Sequence, residues 1–141
     1  MDHIVYLDKS SNEMVNLING SKDIILRGAT GRKLPYGRCS EGDTLFFVNN
    51  NGEGIVKAKG IIKSVLFTDK LSKEESIEIV DKILDRVKLS SKVLKRFSGK
   101  RYLSIINVHQ VEEVVGFSFD KTEYSNMDDW LPVGDIEGVK K

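Results

Sequence analysis

The sequence predicts an α+β fold: a small, mostly antiparallel, partly open β-barrel with about three flanking helices. Three observations predict it. Residues 55–67 read as one long strand in which Val56, Ala58 and Ile62 alternate with Lys57, Lys59 and Lys63. Within it Gly60 marks a bulge or bend, the device by which a strand curls into a barrel. Just before it, Asn49-Asn50-Asn51-Gly52 is a hairpin signal, because Asn and Gly tolerate the positive φ of such turns. The order is strand, helix, several strands with a hairpin, two helices and closing strands, without the alternation of strands and crossover helices that a doubly wound parallel sheet needs.

Taken in order, residues 4–7 form a short apolar run that fits a buried first strand. Ser10 and Glu13 have the spacing of a capping box, opening a helix that buries Met14, Leu17 and Ile18 and stops at Gly20. A strand over 23–27 leads into a loop punctuated by Gly28, Gly31, Pro35 and Gly37. Gly42-Asp43 turns into a strand over 44–48, rich in aromatic and β-branched residues. Beyond the long strand, Ser72 and Glu75 form a second capping box, and Ile77, Val80, Ile83, Leu84 and Val87 share one helical face. Ser90 or Ser91 begins a further short helix, with Val93, Leu94 and Phe97 inward and Gly99 as its stop. Residues 101–108 are a strand and 114–119 another, the last. The segment 126–132, anchored by Trp130, is apolar enough to dock. Residues 1–134 read as a single domain and 135–141 as a flexible tail.

At 141 residues the chain is long enough to bury about two-thirds of its unfolded surface in one core. No run approaches the roughly 20 apolar residues that span a bilayer, so no membrane role is expected. The N-terminus MDHIVYLDKS lacks an apolar h-region and does not read as a signal peptide, which makes a cytoplasmic setting the expectation. A lone cysteine, Cys39, excludes an internal disulfide, and no Cys/His cluster has zinc spacing. Neither a metal nor a cofactor is expected. Gly28-Ala29-Thr30-Gly31-Arg32-Lys33 lacks the spacing of a phosphate-binding P-loop. His3 and His109 lie on separate strands with no nucleophile elbow beside them and read as structural.

Net charge is +1, but the charge is unevenly spread. Between Gly20 and Asp43 five basic residues, Lys22, Arg27, Arg32, Lys33 and Arg38, precede the Glu41-Gly42-Asp43 turn against one acid, Asp23. Residues 92–101 carry Lys92, Lys95, Arg96, Lys100 and Arg101 with no acid, whereas 112–137 carry eight acids and only Lys121. Such asymmetry either orients a polyanion or provides solvated faces. Whether the two basic groups share a face is not legible in sequence.

The run Gly20-Ser21-Lys22-Asp23-Ile24-Ile25-Leu26-Arg27, followed by Gly42-Asp43 and Leu45-Phe46-Phe47, resembles the ASCH domain of the PUA-like superfamily. Gly20, Lys22, Arg27, Gly42 and Asp43 stand at that family's motif positions, and the motif match covers roughly residues 3–67. Ile25 replaces the motif glutamate, and Asp23 stands where hydrolytic members have threonine. The resemblance implies a β-barrel with a cationic cleft beside the first helix, used for RNA or nucleotide-like ligands. Some members are small amidohydrolases or ribonucleases.

Two functions follow as expectations. The first is an RNA- or nucleotide-binding module whose contacts are Lys22, Arg27, Arg32, Lys33 and Arg38, with Tyr36 available to stack a base. The alternative is a small hydrolase of modified nucleosides or RNA, with Lys22 as base and Asp23 or Glu53 supplying the carboxylate. Against these stand blander readings: Arg27 pairing with Asp43, Tyr36 packing on the barrel, the strand lysines keeping one face soluble. Asp128-Asp129 is a weak metal signal beside an anchoring Trp130, and the basic neighbours of Cys39 would lower its pKa.

Overall fold

The computed structural model describes residues 1–124 and 128–141. Six strands form, β1 (Asp2–Leu7), β2 (Ile24–Ala29), β3 (Thr44–Asn49), β4 (Ile55–Phe67), β5 (Tyr102–Ser118) and β6 (Trp130–Gly134). They make one sheet in the order β2-β5-β4-β3-β1-β6. Only β1 against β3 is parallel; the other pairs are antiparallel. The β4–β5 ladder shifts register between Val56 and Ala58, Lys59 and Ile61, and Ile62 and Ser64, so the sheet curls into a half-barrel. At Gly60 a Cβ would lie 3.0 Å from Val111 Cγ2 and 3.3 Å from the Phe47 ring, so the bend leaves no space for a side chain.

The α+β half-barrel expected from sequence is therefore the fold, with differences in detail. The two strands expected over 101–108 and 114–119 are one continuous strand, Tyr102–Ser118. The ladder to β4 runs on past the midpoint with a shift in register there, where Gln110 adopts φ +52°, at the polar residues that suggest a break. Four helical segments form instead of three: α1 (Glu13–Ile18), α2 (Lys73–Lys82), α3 (Leu84–Val87) and α4 (Ser91–Leu94). The helix expected to run unbroken through Val87 interrupts at Ile83, whose φ −118° and ψ 10° lie outside helical values. Val80 and Val87 are fully buried, but Ile77 and Leu84, expected on the same face, are 36% and 40% exposed.

Both caps after residue 70 form. Ser72 Oγ accepts the Glu75 N–H while Glu75 returns to the Ser72 N–H, and Ser90 Oγ accepts the Val93 N–H. The cap expected at Ser10 does not. Asn12, at φ +53°, is the N-cap of α1, and Ser10 Oγ donates to Asp8. Glu13 points inward instead, accepting the Asp8 N–H at 2.7 Å and meeting Lys22.

Alternation along β2 places its residues on two cores. Ile25 joins Val5, Leu45, Phe47, Ile106 and Trp130 inside the half-barrel, closed by Met14 and Leu17 of α1. Ile24 and Leu26 pack outward against Val80, Val87, Val93 and Phe97 of the helical layer. Trp130 docks as β6, as its apolar surroundings suggest, although residues 126 and 127 of that segment lie outside the described residues. Its indole N–H donates to His3 Nδ1 at 3.0 Å, which makes Nε2 the protonated nitrogen that donates to Asp43 at 2.8 Å. Asp43 thus pairs with His3, not Arg27. Residues 135–141 carry a 3-10 turn over Ile136–Gly138 in which Ile136 is buried, and Phe119 bridges to Lys140.

Candidate ligand-binding cleft

Arg27 ends the buried part of β2, and its position is fixed from three sides. Nη2 donates to Tyr6 O at 2.7 Å, Nη1 to Leu26 O at 3.0 Å, and Nε lies 3.4 Å from Asp129 Oδ2. Its guanidinium also lies 5.7 Å from the Phe97 ring centre. Beyond it β2 continues through Gly28, where a Cβ would meet Leu103 Cδ2 at 2.9 Å and Phe97 O at 3.1 Å. The absence of a side chain at Gly28 lets the turn after α4 come down onto the strand, and this brings Arg96 and Lys100 to the same opening as the loop after β2.

The result is a cleft of about 250 Å³ bordered by Arg27, Lys33, Arg96 and Lys100, with Asp129 the one acid along its wall among the described residues. Tyr36, Phe97 and Tyr102 supply aromatic surface. The basic group of 92–101 therefore adjoins that of 22–38, a juxtaposition made by tertiary packing alone. Tyr36 is held by its hydroxyl donating to Thr68 O, by Phe67 at 5.1 Å and by an edge contact with Tyr102 at 5.5 Å. Arg32 spreads over both rings, 5.9 Å from Tyr36 and 5.5 Å from Tyr102. Arg38 is exposed and outside the cleft lining.

Lys22 lies elsewhere. It is buried, its ammonium 3.0 Å from Glu13 Oε2 and donating to Val87 O. Burial lowers its pKa; Glu13 opposes that shift and Arg27 reinforces it. The carboxylate beside Lys22 is therefore Glu13, not Asp23 or Glu53. Asp23 is occupied by a bidentate pairing with Arg86 at 2.8 and 2.9 Å, and Glu53 pairs with Lys57 at 2.6 Å. Sequence spacing assigns Glu13 to a cap, and nothing in its neighbours points inward; only the partner at Lys22, supplied by tertiary packing, reveals the role.

A second, smaller recess of about 80 Å³ shares Arg27, Arg96, Phe97 and Asp129 with the cleft and is lined also by Tyr6, Asp8, Glu13, Asn50 and Val93. Two buried polar atoms of residues that line this recess, Glu13 Oε2 and Arg27 Nε, make no hydrogen bond among the described residues and are met by ion pairs alone, with Lys22 at 3.0 Å and Asp129 at 3.4 Å. Cys39 is remote from this chemistry: burial, with Asp43 adding to it, pushes its thiol up to about 12, opposite to the expected effect of its basic neighbours. Among the described residues no group of three or more His, Cys, Asp or Glu side chains gathers as a metal site, and no helix is long and apolar enough to cross a membrane.

No family model and no curated protein matches this sequence. Solved structures do match. The crystal structure of ASCH from Zymomonas mobilis superposes with a TM-score of 0.70 at 10% identity, covering 97% of this chain and 90% of that one. A tyrosine-to-phenylalanine mutant of the same protein gives 0.70 at 10% identity over 97% and 93%. The hypothetical protein PH0355 gives 0.54 at 17% identity over 81% and 100%. The chain has the ASCH fold expected from its motif residues.

Proposed function

We propose that this chain is a binding module for RNA or a nucleotide-like ligand. The observation that carries this reading is the convergence of Arg27, Lys33, Arg96 and Lys100 on one aromatic-walled cleft. Lysines neutralise phosphate as point charges, an arginine grips it with paired N–H groups, and an exposed ring face stacks a base for about 1–3 kcal/mol. Arg32, lying on Tyr36 and Tyr102, extends the cationic rim, and Arg38 contributes only to the wider field. Lys22 acts through Glu13, with no ligand contact of its own. The ASCH fold supports the reading at the level of architecture.

Fluorescence anisotropy with a labelled single-stranded RNA at two salt concentrations tests it. Affinity falls by about 0.7 log unit per log unit of salt for each phosphate contacted. Salt-insensitive binding, or none, refutes the proposal. One observation favours a second reading, hydrolysis of a modified nucleoside: a buried lysine of lowered pKa stands against a carboxylate that borders the recess. Turnover of acylated nucleosides by the wild type, lost in Lys22→Ala with the fold intact, would establish it in place of simple binding.

A further inference from the structure

We infer that the floor of the cleft is a seat for a phosphate monoester, which enters phosphate first as a nucleoside monophosphate or as the phosphorylated end of an RNA. The inference rests on the binding proposal and names the group that this site takes. Its evidence is the row of side chains at the bottom of the cleft. Ser104 on β5 stands in register between Arg27 on β2 and Phe67 on β4, so the three project from one face of the sheet. The next row inward, Ile25 and Ile106, is fully buried core, and the next row outward, Ala29 and Tyr102, borders the cleft. The inner face of the half-barrel thus turns from apolar to polar at Arg27 and Ser104. Ser104 lines the cleft and is only 3% exposed, yet its hydroxyl makes no hydrogen bond with a described residue. Nor is it sealed away as Glu13 Oε2 and Arg27 Nε are. Buried hydroxyls are ordinarily partnered, so this one is a donor left for a ligand.

Arg27 supplies the second part of the seat. Each of its Nη groups gives one N–H to a backbone carbonyl and carries another. Side chains of directly paired residues start about 4.5–5.5 Å apart at Cβ, close enough for the oxygens of one phosphate to meet both. Lys33, Arg96 and Lys100 border the same space, and Asp129 is the one acid there among the described residues. That excess of cations favours a group of higher charge. A phosphate monoester carries about 1.5 to 2 negative charges at pH 7, a diester one. Geometry points the same way. Buried core lies beneath the floor, so both substituents of a diester have to leave through the mouth, whereas the single substituent of a monoester leaves past Tyr36 and Tyr102.

The test titrates adenosine 5′-monophosphate and its 5′-methyl phosphodiester by amide NMR, following the Ser104 N–H. In parallel, one single-stranded RNA sequence bearing a 5′-phosphate, a 3′-phosphate or neither is titrated by anisotropy. The expected result is that the monophosphate binds roughly ten- to a hundred-fold more tightly than its methyl ester and shifts the Ser104 signal. A gain of the same order for one phosphorylated RNA end assigns the seat to chain termini; a gain confined to the free monophosphate assigns it to nucleotides. Ser104→Ala loses most of the preference and keeps the urea unfolding midpoint of the wild type, because its hydroxyl bonds no described residue. Equal binding of the monophosphate and its methyl ester, or an unchanged preference in Ser104→Ala, overturns the inference. So does a Ser104→Ala variant that loses stability, which would assign the hydroxyl to the fold. RNA that binds with a steep salt dependence but is indifferent to its terminal phosphates, with no preference for the free monophosphate, overturns the seat and leaves the module reading standing. Failure of every ligand to bind refutes both.

Discussion

Removing one partner of the Glu13–Lys22 pair will cost this fold far more than removing both. Both side chains are almost wholly buried, their charged atoms 3.0 Å apart. Breaking such a pair leaves an uncompensated charge and costs about 3–5 kcal/mol, whereas replacing both partners with uncharged residues of similar volume is commonly neutral or stabilising. For a chain of 141 residues, at about 4 °C per kcal/mol, each single variant loses roughly 12–20 °C in Tm. The assay is urea and thermal unfolding of Glu13→Gln, Lys22→Met and the double variant, followed by circular dichroism. In Glu13→Gln the pH dependence carries a further signature. Lys22 has lost the carboxylate that opposes its depression by burial, so its folded-state pKa falls further below the unfolded value. Between those two values the unfolded chain binds more protons, so Glu13→Gln regains stability as pH rises toward the ordinary lysine range. Single variants within about 1 kcal/mol of wild type, or a double variant no better than the worse single one, would refute the reasoning, since the pair would then be behaving as a solvated one.

Asp43, pulled up by burial but more strongly down by the His3 and Ser40 hydrogen bonds, has a net lowered pKa. Its stabilisation is present above the unfolded carboxylate pKa and lost as pH falls through the folded one, so Asp43→Asn will destabilise at pH 7 and converge on wild type in acid unfolding curves. Gly28→Ala will cost about 1–3 kcal/mol by overpacking, because its Cβ would meet the Phe97 carbonyl at 3.1 Å; urea unfolding measures this, and RNA affinity should fall as the Arg96 side of the cleft is pushed away. Cys39, with its thiol near 12, will not react with a thiol reagent at pH 8 until the protein is unfolded, which a colorimetric thiol titration with and without denaturant checks.

The parts of this fold that were legible in sequence are those set by local chemistry. The long strand with its glycine bend, the Asn-Gly hairpin and the Ser72 and Ser90 caps each follow from residues within a few positions of one another. Misreadings occur where a distant partner overrides the local pattern. Ser10 and Glu13 have capping spacing, yet burial against Lys22 claims the Glu13 carboxylate. Residues 109–113 look like a break between strands, yet pairing along β4 carries β5 through with a positive φ at Gln110. The same logic explains the site. Lys33, Tyr36 and Arg27 were visible as a cationic stretch, but their union with Arg96, Lys100 and Tyr102 depends on the close approach at Gly28, which no linear spacing encodes.

In the proposed function, phosphate sits among the lysines and arginines of this cleft. The most direct measurement is the salt slope of single-stranded RNA binding for wild type beside Lys33→Ala/Lys100→Ala, two positions whose hydrogen bonds among the described residues are made by the backbone, with Tyr36 and Phe97, and so are kept in alanine. With phosphate held there, the log–log slope becomes shallower by about 1.4, or about 0.7 for each contact removed, with unfolding curves unchanged. A slope identical to wild type would contradict it and place the ligand elsewhere.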